Sequence, residues 1–188
     1  MPSPVPPTLP ETALSRRIDA LLEQTERVAS WIWPALLTVI VVNVVARYAF
    51  GEGRVEFEEL QWHLYAVGFL AGIATGLGSD SHVRVDVLRD HFSLRTQSWV
   101  ELYGLLLLLF PFVALVLWYS LPFVSLSFTA SEVSVSAGGL PYRWAIKSAL
   151  PLGFTLLGLA GLSRLLRVSA FLFGAPEAVS PGSPERRT

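Results

Sequence analysis

The chain has 188 residues, of which 52% are hydrophobic and 15% are charged, and its net charge is −1. Soluble domains carry roughly a quarter charged residues, so this composition indicates an integral membrane protein and argues against a soluble domain. The chain has no cysteine, which excludes disulfides, thiolate metal sites and cysteine-held iron–sulfur clusters.

Residues 1–27 are predicted to lie before the membrane. The first ten residues are proline-rich and are predicted to be disordered. From Glu11 onwards an amphipathic pattern predicts a helix. Its apolar residues near one face are Leu14, Ile18, Leu21, Leu22 and Val28. This helix lies at the inner membrane surface in one interpretation and is an ordinary cytoplasmic extension of the first membrane helix in the other.

Four apolar stretches predict an all-α membrane domain over residues 28–167. The spans are expected at about 28–46, 60–78, 99–121 and 144–166, each close to the ~20 residues that cross a bilayer. With both termini inside, ten Lys and Arg residues lie on the inner side and four on the outer side, as the positive-inside rule requires. The first span is expected to be retained rather than cleaved as a signal peptide. Residues 168–188 are expected to form a cytoplasmic tail that is mostly disordered.

The second span carries glycines at every fourth position, Gly68, Gly72 and Gly76. This spacing places them along one side of a helix, where they predict a helix-packing face. Glu58 and Glu59 open the helix, where the helix dipole favours carboxylates.

The loop after the second span contains His82, Arg84 and Asp86. These residues share one side if the segment is extended, which predicts a structural role for the inner loop. A solvated loop is the alternative.

The third and fourth spans are separated by a long apolar, serine-rich loop. Pro111 is expected to bend the third helix and Pro122 to end it, which leaves residues 123–143 for the loop. Lys147 lies one turn inside the fourth span and can snorkel outward. Because Glu58 and Glu59 are expected at a similar depth, Lys147 is predicted to pair with one of them.

No constellation of an enzyme is present: the sequence has no P-loop, no Gly-x-Ser-x-Gly and no His-Glu-x-x-His. His63 is expected outside, and His82 and His91 inside, so they cannot share a metal or serve as haem ligands of a redox anchor. We therefore expect no catalytic, metal or cofactor site. The spans also lack an acidic residue near the midplane, which argues against an independent carrier and favours a helix-packing subunit.

Five features together resemble a known family. They are residues 43–50 (NVVARYAF), 56–63 (EFEELQWH), 82–86 (HVRVD) and 131–141 (SEVSVSAGGLP), followed by Trp144 and Lys147. The chain over residues 28–167 is similar to the small membrane subunit (DctQ-like) of tripartite ATP-independent periplasmic (TRAP) transporters.

This resemblance implies four membrane helices with cytoplasmic termini in a bacterial inner membrane. It implies a large membrane subunit (DctM-like), a periplasmic substrate-binding protein (DctP-like) and membrane lipid as partners, and no nucleic acid. The subunit would act as a scaffold in sodium-coupled uptake of a small organic acid or related solute. The alternative is an independent four-helix carrier or exporter that acts as a homodimer.

The resemblance also assigns interface roles to individual residues. The outer collar would be Glu58, Glu59 and Trp62. The outer loop and the start of the fourth helix would be shaped by partner-interface candidates at Glu132, Pro141, Trp144 and Lys147. His82, Arg84 and Asp86 would fix the inner loop. We expect all of these residues to serve assembly and none to bind substrate.

Overall fold

The computed structural model describes residues 9–78 and 92–176, and its regular structure is helical. This confirms the all-α prediction for the described part of the chain. The helices are α1 (Ala13–Ala29), α2 (Ile32–Phe50), α3 (Val55–Gly78), α4 (Leu94–Gly104), α5 (Phe110–Thr129) and α6 (Arg143–Phe173). A π-helical turn, Leu105–Leu109, joins α4 to α5 without a break.

Helix α1 is the predicted amphipathic helix, and it begins at a capping box. The Thr12 side chain accepts a hydrogen bond from the Ser15 amide, and the Ser15 side chain accepts one from the Thr12 amide, which satisfies two free donors of the first turn. The apolar residues do not share one environment. Ile18 and Leu22 are buried against Ala160 of α6, so one face of α1 packs inside the bundle rather than on a lipid surface.

Helices α2 and α3 form an antiparallel pair. Gly51 ends α2 in the left-handed conformation (φ 71°), a conformation that costs glycine little. Asn43 of α2 is buried, and its Oδ1 atom has no hydrogen-bond partner within the described residues.

The third predicted span differs from expectation at its far end. The π-helical turn ends two residues before Pro111, which lies inside the continuous helical stretch Leu94–Thr129; a local π adjustment is one way in which membrane helices accommodate proline. Pro122 does not end the helix, as the sequence had suggested, because α5 continues to Thr129. The Ser125 hydroxyl donates to the Pro122 carbonyl (3.0 Å) in the turn after the proline, and the helix continues through it, as membrane helices allow. The loop is consequently limited to residues 130–142.

Helix α6 is the centre of the bundle and contacts α1, α3, α4 and α5. Leu157 packs with Ala74 of α3 and Val113 of α5 in one buried cluster, while Ala160 belongs to the cluster with α1. With 31 residues, α6 is about 46 Å long at 1.5 Å per residue. It therefore exceeds the ~30 Å hydrocarbon core, and its ends extend beyond it.

Three helical stretches of the described chain are long and apolar enough to cross a membrane. They are Ala13–Phe50 (α1 with α2), Leu94–Thr129 (α4 with α5) and Arg143–Phe173 (α6). Helix α3 has 24 residues but is not among them, since its first half carries polar residues such as Glu56, Gln61 and His63. The fourth span thus stays a prediction.

Candidate functional site

The 130–142 loop is fastened to α3 through Glu59. One carboxylate oxygen of Glu59 accepts a hydrogen bond from the Ser134 hydroxyl, and the other accepts one from the Leu140 amide at 2.6 Å. Gly139 makes this approach possible, because a Cβ atom at that position would lie 2.8 Å from the Glu59 Oε1 atom. The hydrogen bonds from Ser134 and then Leu140 hold the pKa of Glu59 below its ordinary value of 4.5.

Lys147 forms an ion pair with Glu132. The predicted pairing of Lys147 with Glu58 or Glu59 is therefore wrong. The reason is the turn after α5, where the Arg143 amide donates to the Glu132 carbonyl (3.2 Å) and brings Glu132 back to the start of α6. The Lys147 ammonium lies 4.2 Å from the centre of the Phe123 ring. The hydrogen bond from the Lys147 ammonium is the main cause that lowers the pKa of Glu132 below its ordinary value of 4.5.

The other collar residues have less restrictive surroundings. Glu58 pairs with Arg47 of α2, and both side chains are about half exposed. Trp62 is 73% exposed and free to meet a partner. Pro141 is exposed, and the Trp144 ring packs edge-on against Phe128 at 5.5 Å. Six of the seven partner-interface candidates thus lie around one end of the bundle. The seventh, Trp62, lies beside them on α3.

The three glycines of α3 have different surroundings. A Cβ atom on Gly68 would lie 3.3 Å from Ile32 of α2, whereas a Cβ atom on Gly72 would meet nothing within 4 Å. Gly76 is partly buried. Gly68 therefore packs inside the chain and Gly72 is open, so a packing face for another helix stays a prediction.

Close helix approach inside the chain depends on α6 glycines that the sequence analysis did not single out. A Cβ atom on Gly153 would lie 2.8 Å from the Leu70 Cβ atom of α3, and one on Gly161 would lie 2.6 Å from Leu109 Cδ2. Gly153 and Gly161 are eight residues apart in α6, and Leu157 occupies the position midway between them. They therefore do not form the four-residue glycine pattern on which the sequence analysis relied.

The opposite end of the bundle holds a second group of ion pairs. Arg164 of α6 pairs with Glu101 of α4, with side chains only 9% and 19% exposed. Arg167 pairs with Asp19 of α1, and the Ser163 hydroxyl donates to the same Asp19 carboxylate at 2.6 Å. These contacts tie three helices together. The sequence analysis found no signal for the pairing of Glu101 with Arg164 or of Asp19 with Arg167.

The predicted inner-loop residues His82, Arg84 and Asp86 lie outside the described residues. Within residues 9–78 and 92–176, no group of three or more His, Asp or Glu side chains could hold a metal ion.

An open groove of about 570 Å³ runs between α1, α2, α3 and α6. It is lined mainly by apolar side chains from all four helices, with Gln24 and Thr25 as its polar members. Its apolar lining includes Ile32, Val67, Ala71, Leu152 and Leu156. A surface of this kind suits an acyl chain or an apolar helix.

Comparison with protein families decides which group this helical arrangement belongs to. The family model described as the DctQ component of tripartite ATP-independent periplasmic transporters matches residues 36–171. The chain belongs to the DctQ family. The match covers α2 to α6 almost completely, and it confirms the resemblance drawn from the sequence motifs. A comparison with curated proteins gives no significant match.

Family membership fixes the general role. A DctQ chain is a component of a transporter and not a member of an enzyme family. With the long apolar helices, it indicates a membrane-embedded protein that takes part in transport. It supports the transporter-subunit hypothesis and gives no support to the homodimeric carrier.

Proposed function

We propose that this DctQ-family chain is the scaffold subunit of a TRAP transporter in the bacterial inner membrane. It supports a large DctM-like subunit during sodium-coupled uptake of a small organic acid or related solute, which a DctP-like periplasmic protein delivers. The chain crosses the membrane four times, with α3 as the additional span, and both termini are cytoplasmic.

The observation that carries this proposal is the distribution of charge along α6. Lys147 and Arg164 are 17 positions apart, about 26 Å along a helix, and no charged residue lies between them. This distance is close to the thickness of the hydrocarbon core. The ion pairs therefore form two layers at the membrane boundaries, and the packed apolar layer between them offers no ionisable group of the kind that carriers use near the midplane.

Helix α3 can form the fourth span between the same two layers of ion pairs. It packs between α2 and α6, and its 24 residues extend about 36 Å. Its polar first turns then lie at the layer of Lys147, where Glu59 meets the 130–142 loop. The positive-inside count supports cytoplasmic termini for this arrangement.

The proposed contact with the large subunit uses surfaces that the chain leaves open. Gly72 has free space around its Cα atom, and small residues let membrane helices approach closely. Trp62 is exposed at the Glu59 end. Membrane lipid is proposed to bind in the groove beside α1. Glu59, Glu132 and Lys147 serve the interface indirectly, by fixing the 130–142 loop, and His82, Arg84 and Asp86 are proposed to shape the inner loop.

Gentle detergent purification of the tagged chain from its native membranes, followed by mass spectrometry, tests the assembly. A stoichiometric large hydrophobic partner is expected with the wild-type chain. Gly72→Leu should remove that partner without changing the unfolding midpoint of the isolated chain. Ala114→Leu, at an exposed position of α5, is the matched control and should retain the partner.

The same preparations test the transport role. Liposomes with the chain alone should take up no solute, whereas the three components together should show uptake that depends on a sodium gradient. A pure homodimer that transports solute by itself would overturn the proposal. Retention of the partner by Gly72→Leu would overturn only the proposed contact.

A further inference from the structure

The 130–142 loop has unusual backbone geometry at both of its ends. Ser131 (φ 48°) and Tyr142 (φ 62°) are the non-glycine residues with positive φ in the described parts of the chain. Each occupies the left-handed region, which L-residues other than glycine adopt only at a cost. The two residues lie directly after α5 and directly before α6, so strain is placed at both junctions of the loop.

Ser131 occupies the position where helices usually place glycine. The Glu132 amide donates to the Ser127 carbonyl and the Ser131 amide to the Phe128 carbonyl, both at 3.1 Å, which is the Schellman pattern of a helix end. Tyr142 is 69% exposed, so burial of its ring does not compensate for its conformation. The strain must be balanced by contacts elsewhere in the loop.

The side chains at the tip of the loop do not provide those contacts. Val133 is 60% exposed and Val135 is 94% exposed, so neither contributes much apolar burial. The Ser134 amide does donate to the Leu140 carbonyl (3.2 Å) across the loop. Both of these residues also donate to Glu59, one through its hydroxyl and the other through its amide. One carboxylate of α3 therefore bridges the two sides of the loop at its tip, whereas the Lys147–Glu132 ion pair and the hydrogen bond from the Arg143 amide to the Glu132 carbonyl close its base.

We propose that the 130–142 loop is a two-state strap and that Glu59 is its latch. In the latched state Glu59 holds Ser134 and Leu140 while Ser131 and Tyr142 remain strained. In the released state these hydrogen bonds are lost, the two junctions relax, and Val133 and Val135 take new positions. Helices α5 and α6 keep their packing in both states. This inference does not depend on the proposed transport function.

Hydrogen exchange of the full-length chain in lipid nanodiscs tests the latch. Glu59→Gln should speed exchange of the amides of residues 132–140 by at least about tenfold, the effect of losing hydrogen bonds to a charged acceptor. Glu58→Gln is the matched control, because Glu58 lies one position away and pairs with Arg47 instead. It should leave the loop at wild-type exchange. Amides around Leu157 and Val168 in α6 should be unchanged in both variants.

A second variant tests the strain separately. Ser131→Gly should slow exchange of the loop in the wild-type background, because glycine removes the cost of the latched conformation. The same substitution should have no such effect when Glu59 is already Gln. Since the chain has no cysteine, a spin label on Val135→Cys can report the same transition as a gain of mobility in the Glu59→Gln background.

Wild-type exchange in the loop of Glu59→Gln would overturn the latch. An equal rise of exchange in α6 would also overturn it, because Glu59 would then hold the whole fold and not the strap. Faster loop exchange after Ser131→Gly would show that Ser131 carries no strain and would refute the two-state description.

Discussion

Substitution of Gly153 by alanine should destabilise the bundle. The new Cβ atom would lie 2.8 Å from the Leu70 Cβ atom, whereas carbon atoms pack at about 3.5–4.0 Å. Both Cβ atoms are fixed to the backbone, so no side-chain rotation relieves the contact and α3 must move away from α6. Overpacking of this kind costs about 1–3 kcal/mol.

Two other glycines provide matched controls for that value. Replacing a helical glycine by alanine gains about 1 kcal/mol in helix propensity, so Gly153→Ala should lose up to about 2 kcal/mol of unfolding free energy in total. Gly72→Ala meets nothing within 4 Å and should be neutral or slightly stabilising. Gly161→Ala should lie between them, because its obstacle is the end of the mobile Leu109 side chain.

The assay is unfolding of the purified chain by SDS in mixed micelles, followed by tryptophan fluorescence. Equal unfolding free energies for Gly153→Ala and Gly72→Ala would refute the argument, since the two substitutions add the same methyl group and differ only in what it contacts. A larger loss for Gly161→Ala than for Gly153→Ala would also contradict it.

Two further predictions concern charge. Arg164→Met should lose about 3–5 kcal/mol of unfolding free energy because it leaves the mostly buried Glu101 without its cation. Arg47→Met removes one partner of a half-exposed pair and should lose at most about 1 kcal/mol. SDS titration of both variants measures the difference, and equal losses would contradict it. The lowered pKa of Glu132 means that its contribution to stability is complete above the ordinary value of 4.5 and disappears as the pH falls from there through the lowered pKa. The difference in thermal midpoint between the wild-type chain and Glu132→Gln should therefore be largest at neutral pH and shrink below pH 4.5, and a constant difference would exclude this linkage.

The two ion-pair layers indicate how a membrane bundle keeps charged residues at its boundaries. Two cations with little exposure are paired within the chain: Arg164 with Glu101, and Lys147 with Glu132. Paired charges tolerate contact with an apolar layer far better than single ones. The Arg164–Glu101 pair also joins α6 to α4, which are distant in sequence, so it orders the bundle as well as neutralising its charge.

Part of the fold could be read from local pattern. The amphipathic period from Glu11 predicted α1, and the apolar stretches predicted that helices occupy the regions of α2, α5 and α6. Helices α5 and α6 nevertheless continue to Thr129 and Phe173, beyond the predicted span ends at 121 and 166. The prediction failed at Pro122, because proline ends helices in water more reliably than in a packed membrane bundle, where a helix can continue through it. The prediction of Lys147 pairing with α3 failed because depth in the membrane does not specify which of several carboxylates turns toward a cation.

The sequence by itself determined that this chain is an apolar helical bundle with charged ends, and its motifs determined its family. These properties follow from composition and from spacings of a few residues, which can be recognised within a short segment of the chain. Only the tertiary structure decided that Glu59 holds Ser134 and Leu140, that Glu101 meets Arg164, and that Gly153 rather than Gly72 sets the closest approach of α3 and α6. Such choices depend on the rotation and tilt of whole helices, which are set by the packing of all their side chains together.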